Sequence, residues 1–100
     1  MAVSELSKKI RKGNIGAIMD GFLSGIPAYE AQAVIGAVNN HAINDEIINQ
    51  LFRLRSDKTI VFGYSLADFA TAALDKFEIE RYKGDDPVVR ILIKNDNWWG

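Results

Sequence analysis

The chain has 100 residues, with 12 lysines and arginines against 13 aspartates and glutamates, one histidine and no cysteine. That length fits a single domain over residues 1–100, and a composition that is 48% apolar supplies a core and excludes wholesale disorder. The lack of cysteine excludes a disulfide scaffold, thiolate-bound metals and a thiol nucleophile. No apolar run approaches the roughly 18 residues of a membrane span. Ser4, Glu5 and the lysines after them interrupt any signal-peptide core, so we expect a cytoplasmic protein.

The net charge of −1 hides a strong segregation of charge along the chain. Residues 1–13 carry four cations and one acid, which gives a net charge of +3. Residues 14–52 contain four acids and no lysine or arginine, which gives a net charge of −4. Such a stretch predicts a negative surface that attracts a basic partner and repels nucleic acid, and the alternative is that the four acids only provide solubility. Because no apolar span is present, no membrane partner is expected.

Apolar residues at helical spacing dominate the first half of the chain. Ser4 is the expected cap of a short first helix that Gly13 ends, and Asn14 is the expected cap of the next. Pro27 suits the first turn of a third helix that runs to Asn39. The expected buried stripes are Leu6 and Ile10, then Ile15, Ile18, Met19, Phe22 and Leu23, then Ala31, Val34, Ile35 and Val38.

The second half predicts three more helices. Asn44 caps a helix over 44–55, with acids in its first turn and arginines in its last, as the helix dipole favours. The next helix is expected over 59–76, broken at Gly63 and capped by Ser65 or Asp57, with a β-branched strand over 59–62 as the alternative. Asp86-Pro87 then opens a helix over 87–95, for which a strand over 88–93 is the alternative.

Turn signals recur at intervals of about 30 residues, at Gly25-Ile26-Pro27, Ser56-Asp57-Lys58 and Asp85-Asp86-Pro87. Two helices in each interval indicate an all-α fold of stacked helical hairpins, because one hairpin cannot bury its apolar stripe alone. The stack is expected either as an α-solenoid or as a compact helical bundle.

Residues from 47 onward resemble short HEAT-like repeats of bacterial proteins. Ile47-Ile48-x-x-Leu51-x-x-Leu54 is similar to a first repeat helix, and Asp86-Pro87-Val88-Val89-Arg90 to the opening of a second. The resemblance implies that Asp86 caps this helix, that Val89 packs inward, and that Arg90 bonds turn carbonyls or a neighbouring aspartate. The pair over 14–39 departs from the pattern, with no aspartate before Pro27 and no Val-Arg after it.

Few residues point to catalysis. His41 is the lone histidine, and the sequence offers it no evident nucleophile or second base. The acid pairs Asp45-Glu46 and Asp85-Asp86 are explained by helix starts and turns. We therefore expect no enzymatic activity, no metal and no cofactor.

A short basic run precedes the first glycine. It supports an alternative function as a small nucleic-acid- or tRNA-associated adaptor. The run consists of Lys8, Lys9, Arg11 and Lys12, without interleaved aromatic residues.

A small, cysteine-free helical protein with a segregated acidic surface is similar to the immunity proteins of contact-dependent growth inhibition and related polymorphic toxin systems. The resemblance implies a non-catalytic module that binds and neutralises a cognate toxin domain, often a basic nuclease, through an acidic helical face. Trp98 and Trp99 either cap the last repeat or anchor the partner. The candidate partner-binding residues are Tyr29, Glu30, Asp45, Glu46, Asp68, Trp98 and Trp99.

Overall fold

The computed structural model describes residues 4–98, in which six helices and one short β-hairpin follow one another. The helices are α1 (Glu5–Arg11), α2 (Ile15–Leu23), α3 (Pro27–Asn39), α4 (Asp45–Leu54), α5 (Leu66–Lys76) and α6 (Pro87–Lys94). The strands β1 (Ile60–Val61) and β2 (Tyr64–Ser65) pair antiparallel, with Ile60 opposite Ser65 and Val61 opposite Tyr64. The described chain is therefore all-α, as predicted, apart from this hairpin.

Polar side chains cap the helices to which the sequence assigned them. Asn14 and Asn44 each accept, through Oδ1, the backbone N–H three residues later, at 2.9 and 2.8 Å. Ser4 caps α1 in the same manner through Oγ, and Asp86 caps α6 by accepting the N–H of Val88, two residues later. Each cap satisfies an N–H that the helix itself leaves open, and contributes about 1 kcal/mol.

The helix predicted over 59–76 is wrong at its start, where the strand alternative is correct for Ile60–Val61, and Ser65 is the correct one of the two predicted caps. Residues 60–65 form the β-hairpin, and the helix begins only at Leu66, after its cap Ser65. Ile60 and Val61 are β-branched, and Phe62 and Gly63 have φ values of 56° and 85°. Both values are incompatible with a right-handed helix, and they make a two-residue hairpin turn.

The C-terminal segment is a helix, and the strand alternative is wrong. Pro87 occupies the first turn, where its missing N–H costs nothing. Val89 is buried, and Arg90 donates from Nη2 and Nε to the Gly84 carbonyl at 2.7 and 3.1 Å. The resemblance to HEAT-like repeats implied this inward packing of Val89 and this bonding of a turn carbonyl by Arg90.

Helices α3 and α5 form the centre of the molecule. They pack against each other, α1 and α2 pack on α3, and α4 and α6 pack on α5. Small residues allow this close approach, since a Cβ on Gly36 would lie 2.6 Å from Ile10 Cγ2. The buried apolar residues are Ala31, Ala33, Val34, Ile35, Ala37 and Val38 of α3, and Leu66, Ala67, Phe69, Ala70, Ala72, Ala73 and Leu74 of α5.

The hairpins α2–α3 and α4–α5 stack in the same direction. Arg53, near the end of α4, donates to the Phe22 carbonyl near the end of α2. Val38 and Phe77 line one depression at the corresponding ends of α3 and α5. The stack remains compact, with extents of 37 × 28 × 24 Å. No helix within residues 4–98 has both the length and the apolar character needed to span a membrane.

Candidate functional site

An open cleft of about 370 Å³ lies between α1, α3, the β-hairpin and the segment that follows α6. One side of the cleft is aromatic. The ring centroids of Tyr64 and Phe69 are 5.3 Å apart with planes inclined at 59°, and those of Phe69 and Trp98 are 5.8 Å apart at 47°. Tilted pairs of this kind are favourable ring arrangements. Phe62 at the hairpin tip, Ile35 and Leu92 complete the apolar lining.

The turn of the hairpin holds Phe62 in an unusual conformation. A two-residue turn between paired strands needs positive φ at both central residues, which asparagine and glycine adopt far more easily than phenylalanine. Phe62 nevertheless has a φ of 56° and remains 58% exposed. The hairpin therefore holds a large apolar side chain at the rim of the cleft, in a backbone conformation that is costly for it.

Trp98 is held against the cleft by two hydrogen bonds. Its backbone N–H donates to Asn39 Oδ1 at 3.0 Å, and its indole Nε1 donates to the Leu92 carbonyl at 2.9 Å. Lys76 Nζ donates to the carbonyls of Ile93 and Asn95, at 3.0 and 2.8 Å, and so caps the end of α6 with a positive charge. The segment after α6 thus folds back onto α3 and α5, as the capping prediction for Trp98 required. Trp99, the next residue in the sequence, lies outside the described residues.

The opposite side of the cleft is polar. Ser4 Oγ donates to Ser7 Oγ at 3.0 Å, and Ser7 Oγ donates to Gln32 Oε1 at 2.6 Å. These two hydrogen bonds engage the oxygen of the Gln32 amide, and its NH₂ group makes no hydrogen bond inside residues 4–98. The Asn95 side-chain amide and the Tyr64 hydroxyl, which also line the cleft, make no hydrogen bond to another described residue either. The cleft therefore presents polar groups that make no hydrogen bond within residues 4–98 and can bond a guest.

The structure does not place Glu30 on an acidic surface, so this predicted contact needs correction. Its side chain is only 7% exposed, and Oε2 accepts a hydrogen bond from Arg53 Nη2 at 2.9 Å. The same Nη2 donates to the Phe22 carbonyl at 2.9 Å. The buried Glu30 carboxylate thus joins α3 to α4 through a half-exposed arginine, which also bonds α2. The acidic stretch over 14–52 is compensated at this point by an arginine that follows it in sequence.

The other predicted residues do not converge on one surface with the cleft. Asp45 and Glu46 are exposed in the first turn of α4, and neither lines the cleft. Tyr29 is half-buried at the start of α3, and Asp68 is half-buried in the first turn of α5. Trp98 is the one predicted residue within 4–98 that lines the cleft.

Helix α1 carries the basic run to one edge of the cleft. Arg11 lines the cleft, whereas Lys12 is exposed beyond the end of α1. Lys8 pairs with Glu5 at 3.6 Å, and Lys9 lines a separate shallow depression. The fold thus places Arg11 in the lining of the same cleft as aromatic residues, which the sequence run itself lacks.

No group of three or more histidine, aspartate or glutamate side chains within residues 4–98 is placed to hold a metal ion. His41 is exposed with a φ of 51° at the end of α3 and does not line the cleft. Ahead of β1, hydrogen bonds from the Thr59 backbone N–H and then from its hydroxyl hold the pKa of Asp57 below its ordinary value of 3.8. Burial raises this pKa, but by less than the hydrogen bonds lower it. The positive charge of Arg53 lowers it further and is the smallest of these effects.

Sequence reasoning missed most of the cleft. One signal could have found its rim, because Phe62-Gly63 stands between two short strand-forming pairs at the spacing of a two-residue turn. The remaining lining residues come from segments that only tertiary packing brings together. The missed residues are Ser7, Gln32, Phe62, Tyr64 and Asn95.

Comparisons of the chain with protein-family models, with curated proteins and with solved structures gave no match. Its function is therefore inferred from the chemistry of the cleft and of the surfaces around it.

Proposed function

We propose that this protein is a non-catalytic protein-binding module, an immunity protein that binds and neutralises a cognate bacterial toxin domain, and that the cleft and the hairpin rim are its docking site. The observation that carries the proposal is the open, aromatic-walled cleft with unconsumed hydrogen-bonding groups and Phe62 exposed at its rim. Interfaces concentrate their binding energy in a few residues, among which tryptophan, tyrosine and arginine are enriched, and all three residue types line this cleft.

The backbone of Phe62 supports a role outside folding. A non-glycine residue held in a sparsely populated region costs about 1–3 kcal/mol. An asparagine at this position would form the same turn at lower cost. Phe62 is 58% exposed, so burial within the chain recovers only part of the cost of its conformation. Contact with a partner would bury the remaining ring surface.

The exposed acids Asp45 and Glu46 support a second part of the proposal, in which they attract a toxin domain with a basic surface. Charges outside a docking site act mainly on the association rate. Glu30 has no part in this attraction because its charge is already matched by Arg53. Reversing both exposed acids to lysine should slow association at low salt and leave dissociation nearly unchanged. Equal association rates would remove the electrostatic part of the proposal.

Co-expression with the toxin-domain gene that the proposal predicts beside this gene, followed by co-purification, tests the docking site. The purified complex should weaken by about tenfold on Phe62→Asn, because an exposed interface aromatic is lost while the turn is kept. Leu23→Asn is the matched control, since Leu23 is also a large exposed apolar residue but does not line the cleft. An equal effect of both substitutions, or of neither, would reject the cleft as the docking site.

The position of Arg11 favours one other function, the nucleic-acid- or tRNA-associated adaptor. An arginine and exposed aromatic rings that line one cleft can together hold a phosphate and a nucleobase. This alternative predicts RNA or DNA binding that falls steeply with salt and is weakened by Lys8→Gln, Lys9→Gln and Lys12→Gln together. A gel shift at low ionic strength that shows no binding would reject it.

A further inference from the structure

The β-hairpin has an outer edge, on β1, that no other strand of the described chain covers. The Leu66 N–H donates to the Thr59 carbonyl at 2.9 Å, so these two residues are a hydrogen-bonded pair of the ladder. In the next pair, Ile60 and Ser65, the N–H and C=O groups therefore point away from the partner strand. Within residues 4–98 the Ile60 N–H and C=O make no hydrogen bond. Both groups are available to an added strand.

The two edges of the hairpin differ in exposure. Ile60 on β1 is 66% exposed, whereas Ser65 opposite it is buried and leads directly into α5. Exposed edges are usually protected by a charge, a proline or a bulge, because their free N–H and C=O groups pair with other chains. The residues of β1 are instead isoleucine and valine. The short outer edge of β1 can therefore pair with a few residues of one extended segment.

An unmatched positive charge stands at the start of this edge. Lys58 is exposed and forms no ion pair with another described residue. The carboxylate of its neighbour Asp57 is bonded by the Thr59 N–H at 3.0 Å. Phe62 stands at the other end of the edge, and its exposed ring already belongs to the proposed docking site. The edge thus offers a cation, an exposed β-branched residue and an exposed ring, in chain order.

We propose that β1 accepts an extended segment of the partner protein, which adds a third, antiparallel strand at Ile60 and carries a carboxylate opposite Lys58. The inference rests on the proposed protein-binding function and names the segment that the docking site binds. One β-branched residue of the segment exchanges two hydrogen bonds with the Ile60 N–H and C=O and packs beside the Ile60 side chain. An aromatic residue two positions earlier meets the ring of Phe62, and an acid two positions later meets Lys58.

A second copy of this chain fits the edge less well than such a segment. Two copies that pair antiparallel about Ile60 form a symmetric contact, in which each copy offers the same residues to the other. Lys58 of one copy would then lie opposite Phe62 of the other, because both are two residues from the centre of the pair. No carboxylate would face either lysine.

Three short peptides test the inference on the full-length, isotope-labelled protein, with the NMR signal of the Ile60 backbone amide as the report of binding. The reference peptide is acetyl-Ser-Phe-Thr-Val-Thr-Glu-Ser-amide. The second peptide has N-methylvaline in place of valine, and the third has lysine in place of glutamate. The reference should bind about tenfold more tightly than the N-methyl peptide, which lacks one of the two hydrogen bonds and holds the backbones apart. It should bind about threefold more tightly than the lysine peptide, as expected of an exposed ion pair.

Ile60→Pro removes the outward N–H and keeps the ladder between β1 and β2, to which this N–H does not contribute. It should weaken binding of the reference peptide about tenfold, whereas the control Ile60→Ala, which keeps the N–H, should weaken it about threefold. Lys58→Gln should abolish the preference for the glutamate peptide over the lysine peptide. Lys9→Gln is its matched control, since Lys9 lies on α1 in a separate depression, and it should keep the preference.

Three outcomes would each overturn the inference. They are equal binding of the reference and N-methyl peptides, no shift of the Ile60 amide at millimolar peptide, and a dimer of the protein that Ile60→Pro dissociates. The comparison of the two peptides needs no variant, so it stands even where a substitution disturbs the hairpin. Failure of the proposed function is a separate result, in which the reference peptide binds at β1 but Phe62→Asn leaves the complex with the toxin domain unchanged.

Discussion

The Glu30–Arg53 pair should contribute more to folding than any exposed ion pair of this chain, and Arg53→Ala tests this. The substitution leaves the Glu30 carboxylate at a site where its side chain is only 7% exposed. It also removes the donor to the Phe22 carbonyl and the Nε bond to Gln50 Oε1 at 2.7 Å. The change thus removes three hydrogen bonds, two of which join α4 to α2 and α3, while the third lies within α4.

The expected loss follows from how much of the pair is shielded from water. Breaking a fully buried ion pair from one side costs roughly 3–5 kcal/mol. The Arg53 side chain is 47% exposed, so water reaches the site after truncation and reduces the cost. We expect a loss of about 2–3 kcal/mol in the free energy of unfolding, and a fall in Tm of about 10–20 °C for a domain of this size.

Arg55→Ala provides the matched control two residues further along. Arg55 pairs with Glu80, and both side chains are well exposed, at 41% and 51%. Exposed pairs are worth about 0–1 kcal/mol. Urea unfolding followed by circular dichroism should therefore separate the two variants by at least about 1 kcal/mol. Equal losses would refute the view that burial of Glu30 makes the Arg53 contact important.

Three further predictions concern the backbone and the turns. Gly36→Ala should destabilise the protein by about 2 kcal/mol in thermal unfolding because its Cβ would meet Ile10, whereas Gly16→Ala, whose nearest neighbour would be 3.4 Å away, should stabilise it by about 0.5 kcal/mol. Asp57→Ala should cost about 0.5 kcal/mol at neutral pH in urea unfolding. Because the folded-state pKa of Asp57 is lowered, this stabilisation is complete above the unfolded-state value and is lost as the pH falls through the folded-state value, so the two proteins should converge in acid. Phe62→Asn should raise the stability by about 0.5–1 kcal/mol, and an unchanged or lower Tm would show that its positive φ is not costly.

Local signals were sufficient to predict the helices of the described chain. The caps Asn14 and Asn44 and the first-turn prolines act within three or four residues, so their effect can be read from the sequence. The helix predicted from residue 59 was wrong at its start, because the apolar residues from Phe62 onward continue at helical spacing. The same segment contains turn residues that favour a hairpin. At this point turn geometry overrides periodicity.

The site could not be predicted in the same way, because its residues are distant in sequence. Arg11 and Trp98 line one cleft although almost the whole chain separates them. Conversely, Glu30 belongs to a stretch without a single cation, and its charge is matched by Arg53 from the next helix. Charge patterns along a sequence therefore predicted a surface that tertiary contacts partly remove.

The residues that build the core and the residues that line the cleft lie on different parts of the fold, and this separation supports a recognition role. The centre of the molecule is made by α3 and α5, whereas the groups with unused hydrogen bonds, and the strained Phe62, lie on the hairpin, on one edge of α3 and after α6. Substitutions at exposed positions away from caps and buried networks usually change stability by no more than about 0.5 kcal/mol. Phe62 is an exposed position on the cleft that caps no helix. Its side chain can therefore be changed to suit a partner without loss of the fold, which is the property that a protein specialised for one cognate partner requires.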